Sequence, residues 1–296
     1  MSNLKEAIYR ANVKGVEKEI RNGVDLKPEM GDPPLKYAIT SAGQYRNARK
    51  DIAYVSIINA LIEAGADVNA SDTVYSAAFN KLNSILQLLL NAGATGVNKK
   101  GYNGHTPVMW AWSSQPTLQT LIEAGANLNL KNDDGETVVL KICKSAHDHF
   151  ISSLNMVIDA GADVNEPDNA SSTPLMHASY NRLHKKGNIN FIKALIMAGA
   201  NINVQNANGH TALMIAASNG MFEIVNILLD NRADIFIKTK TGQTAKKLSK
   251  MHHDTYDLLN TYEEQVKNAV RDLFLPFAIP QDLISYEIST YLGICM

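Results

Sequence analysis

The sequence predicts an all-α chain of stacked helix pairs, and three observations predict it. First, one phrase returns along the chain. "EAGADVN" (Glu63–Asn69) comes back as "EAGANLN" (Glu123–Asn129), "DAGADVN" (Asp159–Asn165) and "MAGANIN" (Met197–Asn203), with weaker copies from Arg21, Asn91 and Asp230. Second, another phrase keeps step with it: "GHTPVMWA" at Gly104, "SSTPLMHA" at Ser171, "GHTALMIA" at Gly209, and looser forms at Gly31 and Gly135. Third, each copy carries two short apolar runs at helical spacing. The landmark positions 23, 65, 93, 125, 161, 199 and 232 are 42, 28, 32, 36, 38 and 33 residues apart. Self-similarity at that period means a unit that cannot bury its apolar face alone and must stack on its neighbours, so the expectation is a solenoid of seven or eight helix pairs.

The clearest copy, "NANGHTALMIAASNGMFEIVNILLDNRADI" (Asn206–Ile235), shows why the residues fold this way. Thr211 is placed to cap a first helix, with Ala212 opening it. Leu213, Ile215 and Ala216 give that helix an apolar face, and Gly220 breaks it. Ile224, Val225, Ile227 and Leu228 form the apolar stripe of a second helix. One repeat earlier, Gly199 ends such a helix in a left-handed turn. This two-phrase copy resembles the ankyrin repeat, whose period is about 33 residues. The resemblance extends over residues 1–262. Leu4–Gly23 reads as a first pair that caps the array. Gly242–Tyr262 reads as the last pair, with Lys246, Lys247 and Lys250 on its outer side.

Departures from the pattern are informative. Surplus residues fall between paired helices at Ser41–Asp51, Lys144–Ser153 and Tyr180–Asn190. They lengthen helices or form loops on one side. The short gap from Gly65 to Gly93 predicts a repeat without a finger tip. Both tryptophans, Trp110 and Trp112, stand where a medium apolar residue and an alanine are usual. At least one ring is expected to turn toward the groove, the alternative being that both fill space beside the truncated repeat.

Composition excludes several functions. The 296 residues carry a formal net charge of −1, and near-neutrality gives no basic face for nucleic acid or an anionic membrane. The two cysteines, Cys143 and Cys295, imply no disulfide framework. The N-terminus lacks a secretory leader's apolar core, and no window reaches the ~18 apolar residues of a membrane span. A soluble, cytoplasmic monomer without cofactor or metal is expected. His147–His149 and His252–His253 are local pairs lacking further ligands at metal spacing. Cys143 reads as a buried thiol with no base beside it. An enzymatic function is therefore not expected.

What the ankyrin resemblance implies is a protein partner in the concave groove, touching tips and first helices. Carried over by position, the contacts are Tyr102, Asn103, His105, Trp110 and Trp112; Asp133, Asp134 and Glu136; Asn169, Ala170 and Ser172; Ala207, Asn208 and His210. That surface is polar with an acidic centre and suits a basic or polar protein segment. The resemblance also marks Asn69, Asn129, Asn165 and Asn203 as positions hydroxylated in some family members, although bracing the hairpin explains them equally well.

Beyond Tyr262 the repeat stops while apolar periodicity continues through Val266, Ala269, Val270, Leu273 and Phe274. Residues 263–296 are read as a separate helical segment. In "IPQDLISYEISTYL", Ile279, Pro280, Asp282, Leu283, Ile288, Tyr291 and Leu292 resemble the first helix of an F-box, cut short by the end of the sequence. Pro280 and Asp282 suit a helix start. Repeats followed by a shortened F-box resemble the PRANC arrangement of poxvirus ankyrin proteins. That resemblance implies docking, with Ile284 and Ile288 on the contact face, to the adaptor of a cullin-RING ubiquitin ligase in a host cytosol. The competing reading is a plain scaffold or inhibitor whose tail only caps the fold.

Overall fold

The computed structural model describes residues 2–27, 32–44, 48–145, 148–180 and 189–274. The stretch Ile279–Leu292, with Cys295, lies outside them, as does His147. The described residues hold sixteen α-helices, fourteen of which pack as seven consecutive pairs, and no strand. They divide into two compact units at Ile142. The first takes in His149–Asp163, and the second comprises Cys143–Asp148 and continues from Val164.

In the first unit the pairs are α1 (Ser2–Tyr9) with α2 (Val13–Arg21), α3 (Pro34–Gln44) with α4 (Ala48–Glu63), α5 (Thr73–Phe79) with α6 (Asn83–Asn91), and α7 (Val108–Ala111) with α8 (Gln115–Glu123). The unit then takes in α9 (Val138–Ser145) as far as Ile142, and α10 (Ile151–Asp159). First helices contact one another in series, α1 to α3 to α5 to α7, and second helices likewise, α2 to α4 to α6 to α8 to α10. The second unit pairs α11 (Pro174–Ala178) with α12 (Ile189–Met197), α13 (Ala212–Ser218) with α14 (Phe222–Asp230), and α15 (Ala245–Leu248) with α16 (His253–Phe274), in the same two rows.

The periodic residues are the core. Ile57 and Leu61, Leu86 and Leu89, Leu118 and Leu121, Leu154 and Val157, Ile192 and Leu195, and Val225 and Leu228 are all fully buried on second helices. First helices offer small side chains at their closest approach, such as Ala77 with Ala78 and Ala216 with Ala217. Each is too short to persist alone, so packing between pairs stabilises it. Thr173, Thr211 and Thr244 each accept a backbone N–H three residues on, which is the cap the sequence predicts.

Each second helix of the recurring phrase ends in a left-handed glycine: Gly65 (φ +89°), Gly93, Gly125, Gly161 and Gly199. Arg232 holds the equivalent place at φ +65°. A Cβ is strained there, so Arg232→Gly is expected to raise unfolding free energy by about 0.5–1 kcal/mol, after the entropy glycine adds to the unfolded chain. Equilibrium urea unfolding reads it.

The asparagine of the phrase ties each repeat to the next. Asn69 Oδ1 accepts the N–H of Thr95 at 2.8 Å, Asn98 that of Asn127 at 2.7 Å, and Asn129 that of Asp163 at 2.9 Å. In the second unit Asn165 accepts from Asn201 at 2.7 Å and Asn203 from Asp234 at 2.8 Å. Asn98, Asn165 and Asn203 also donate to the carbonyl of the next helix-ending residue, Gly125, Gly199 or Arg232. The side chain bridges repeats instead of bracing its own hairpin.

The insertion at Ser41–Asp51 is largely helix: α3 has 11 residues and α4 has 16, against 7 and 9 in the regular pair α13 and α14. Between Asn69 and α5 only the 3-10 turn Ala70–Asp72 remains, so this repeat has no finger tip. At the far end α16 runs unbroken through Tyr262, so the expected boundary between 262 and 263 falls inside one helix. Glu263 explains the continuity. Its carboxylate accepts from Lys246 Nζ at 2.9 Å and pairs with Lys267 Nζ at 2.7 Å. Lys246 is therefore half-buried in a link to α16, while Lys247 and Lys250 are exposed as expected.

Candidate functional site

The finger tips close by one device. Five residues before each capping threonine stands a short acceptor. Asn132 Oδ1 accepts the N–H groups of Asp134 and Glu136, Asp168 Oδ1 those of Ala170 and Ser172, and Asn206 Oδ1 those of Asn208 and His210. The tips also hook onto one another. Asp133 donates its N–H to the Asn103 carbonyl at 3.1 Å in the first unit, and Ala207 to the Ala170 carbonyl at 3.0 Å in the second.

At the first tip the acceptor is missing. Gly101 stands in its place, and a Cβ there would collide with the ring of Tyr75. Tyr75, on α5, takes the space that the truncated neighbouring repeat leaves. Its hydroxyl accepts the indole N–H of Trp110 at 2.9 Å. Phe79, also on α5, meets Trp110 edge to face with ring centroids 4.8 Å apart. His105 stacks on Trp110 at 4.8 Å. Four aromatic rings thus lock one another across α5, α7 and the first tip. Tyr102 (74% exposed) and Phe79 (49% exposed) turn outward beside them.

A buried polar link holds this cluster to the second tip. Asn132 Oδ1 faces two backbone donors, which fixes the orientation of its amide, so its Nδ2 hydrogens point to Glu136 Oε2 at 3.0 Å and His105 Nε2 at 3.3 Å. His105 Nε2 must then accept, and Nδ1–H donates to the Tyr102 carbonyl at 3.2 Å. The hydrogen bonds assign His105 as the neutral Nδ1–H tautomer. Lys141 Nζ lies 3.5 Å from Glu136 and balances its charge.

The structure therefore separates the residues that the sequence groups as contacts. Tyr102, Asn103, Asp133 and Asp134 are exposed in the first unit, and Asn169 and Asn208 in the second; Ser172 and His210 are half-buried. His105 and Glu136, each 5% exposed, face inward, because Asn132 draws both into the link. Trp110 and Trp112 are half-buried. Trp112 meets Phe150 edge to face at 4.5 Å, so part of the insertion at Lys144–Ser153 covers the larger ring that replaces alanine. Sequence reasoning missed Tyr75, Phe79 and Asn132. The short gap before Gly93 and the fixed place of Asn132 before Thr137 were the available signals.

In the second unit Asp168 sits among several hydrogen-bond and charge partners. Its partial burial disfavours the charged form, but the N–H of Ser172, the His177 ring 2.8 Å away and the N–H of Ala170 outweigh this and hold the carboxyl below its ordinary range. Lys144 Nζ is 4.0 Å away. A depressed folded value stabilises above the ordinary carboxylate range of about pH 4 and is lost as pH falls below it. Acid unfolding of Asp168→Asn is expected to be less steep than that of the parent below about pH 5, measured by circular dichroism.

Cys143 is fully buried, and burial pushes its thiol well above the ordinary range, so it is not a thiolate nucleophile. Among the described residues no group of three or more His, Cys, Asp or Glu could hold a metal ion, and no helix is long and apolar enough to cross a membrane. His252 is tied to the Ser218 carbonyl at 3.1 Å, and His253 lies 3.5 Å from Asp257.

A family model described as ankyrin repeats, in three copies, matches residues 73–168, 112–203 and 183–267. A mouse B-cell lymphoma 3 protein homolog is 28% identical over 229 residues, 73% of this chain and 47% of that protein. A putative palmitoyltransferase of Danio rerio is 26% identical over 174 residues, 57% of this chain and 26% of that protein. A putative ankyrin repeat protein of Fowlpox virus is 30% identical over 123 residues, 42% of this chain and 27% of that protein. The chain spans less than half the length of these curated relatives.

Proposed function

The chain belongs to the ankyrin-repeat family, and on that premise we propose that it is a non-catalytic protein-binding module whose partner sits on the aromatic face of the first unit. The observation that carries this is the exposure of Tyr102 and Phe79 near the half-buried Trp110, whose ring is held by Tyr75, His105 and Phe79. Large aromatics on a preformed surface supply contact area at low entropic cost, and Trp and Tyr are enriched among binding hot spots. Asn103, Trp112, Asp133 and Asp134 border that face. In the second unit Asn169, Ser172, Asn208 and His210 are the corresponding polar contacts.

The finer reading is recruitment. The repeats hold a target, and residues 263–296 dock on the adaptor of a cullin-RING ubiquitin ligase through Ile279, Pro280, Asp282, Leu283, Ile284, Ile288, Tyr291 and Leu292. The action is in the cytosol, that of a host cell if the chain is a viral or bacterial effector. Support comes from the F-box-like order of those residues, and from relatives in Fowlpox virus, the group whose arrangement the chain resembles. The rival is a scaffold or inhibitor that acts through the repeats alone.

The test compares the intact chain with one cut after Phe274 and with Ile284→Asp/Ile288→Asp. The cut spares Glu263 and its link to Lys246. Recruitment predicts that ligase adaptor and cullin co-purify with the intact chain only, while the repeat partner stays with all three. Identical partners on all three would leave the scaffold reading.

A further inference from the structure

This inference rests on the reading above and names the chemistry of the partner. The half-buried Tyr75 joins α5 to α7: its ring lies against Gly101, and its hydroxyl accepts the Trp110 indole N–H at 2.9 Å. A phenol hydroxyl both accepts and donates. Here only the accepting side is used, and the hydroxyl hydrogen has no acceptor among the described residues. Accepting from the indole polarises that O–H and strengthens it as a donor. Phe79 stands one turn further along α5, exposed, with its ring at 75° to Trp110. Tyr102 adds a third, outward ring, its carbonyl held by the His105 that stacks on Trp110. The face thus offers aromatic surface in more than one plane and one directed donor, both set in place by contacts within the chain.

We propose that this face takes a proline-rich segment of the partner in the polyproline II conformation. An ordinary extended segment brings an N–H with nearly every carbonyl, and those pressed onto ring faces lose water without gaining an acceptor. Proline brings a carbonyl and no N–H. Its ring packs on Phe79, Trp110 or Tyr102, while a carbonyl of the segment accepts the Tyr75 O–H. The polyproline II helix is formed before binding, so docking costs little conformational entropy. It has three residues per turn at about 3.1 Å each, which sets prolines three apart on one side, about 9 Å from each other. Aromatic-lined surfaces read proline-rich segments in this way.

The test uses the full chain labelled with 15N and two peptides: Ac-Ser-Pro-Pro-Ser-Pro-Pro-Ser-NH2 and the same sequence with alanine at each proline. Saturable shifts are expected with the proline peptide at the Trp110 indole and at the amides of residues 79 and 102–105, with Trp112 little moved. The midpoint for the alanine peptide should be about tenfold weaker or more, because it loses both the ring contacts and the preformed shape. Tyr75→Phe keeps the ring against Gly101 and removes the hydroxyl, so it should weaken the proline peptide about threefold or more. Phe79→Ala, at an exposed ring, should weaken it as well and leaves the indole hydrogen bond in place. No saturable shift with the proline peptide, or equal midpoints for the two peptides, overturns the proposal. So does parent-like binding of the proline peptide by both variants. Should the proline peptide fail while Tyr102→Ala still blocks capture of the protein partner, the site stands and its chemistry is wrong. Should Tyr102→Ala leave partner capture untouched, the site itself is wrong.

Discussion

Asn132→Ala is expected to lower the unfolding free energy by roughly 3 kcal/mol, among the largest effects of any polar substitution in this chain. The side chain makes four hydrogen bonds. Two accept backbone N–H groups of the tip, one supports the buried Glu136 carboxylate, and one fixes the His105 ring. Alanine would leave Glu136 with one partner fewer and two tip N–H groups without their acceptor, that of Glu136 in a buried site and that of Asp134 in a partly buried one. Asn132→Asp keeps the acceptor but sets a carboxylate beside Glu136, so it should be no milder at neutral pH. Urea unfolding of the full chain gives the loss. The 15N shifts of His105 give a second readout: release of Nε2 in Asn132→Ala should let the ring sample its other tautomer. Equal stability of parent and alanine variant would mean that the tips need no internal link.

Tyr102→Ala is expected to do the opposite: little to stability and much to binding. The ring is 74% exposed, so its loss should change unfolding free energy by no more than about 0.5 kcal/mol. Its removal should weaken the protein partner by at least about tenfold, or ~1.4 kcal/mol. Trp110→Phe is the companion. It keeps an aromatic ring against His105 and Phe79 but loses the hydrogen bond to Tyr75. It should therefore cost both stability, about 1 kcal/mol, and affinity. Isothermal titration with the identified partner separates the two. Unchanged affinity in Tyr102→Ala would move the interface away from this face.

How far the sequence could be read follows from what each residue depends on. The helix pairs were legible because caps, left-handed glycines and apolar spacing are local, and local chemistry decides them. Thr211, Gly199 and the Val225–Leu228 stripe behave as their neighbours dictate. The missing tip at Ala70–Asp72 was legible for the same reason, as a short gap. The candidate site was only partly legible, because its geometry depends on residues far apart in sequence. Tyr75 and Trp110 meet across 35 residues, and only through a glycine at 101 that shows no purpose until the ring is seen beside it. His105 and Glu136 look like tip residues by position, yet Asn132 turns them inward. The asparagine of each phrase reads as a hairpin brace and is instead a bridge to the next repeat.

The most direct test of the central claim places a photo-crosslinking benzoylphenylalanine at position 102 of the full chain, and at Gln119 on α8 as a control on the second-helix row. The account predicts one protein adduct from position 102, absent from Gln119, and lost when Trp110→Phe accompanies it. The same adduct from both positions, or one that survives Trp110→Phe undiminished, would contradict the claim that the aromatic face of the first unit is where the partner binds.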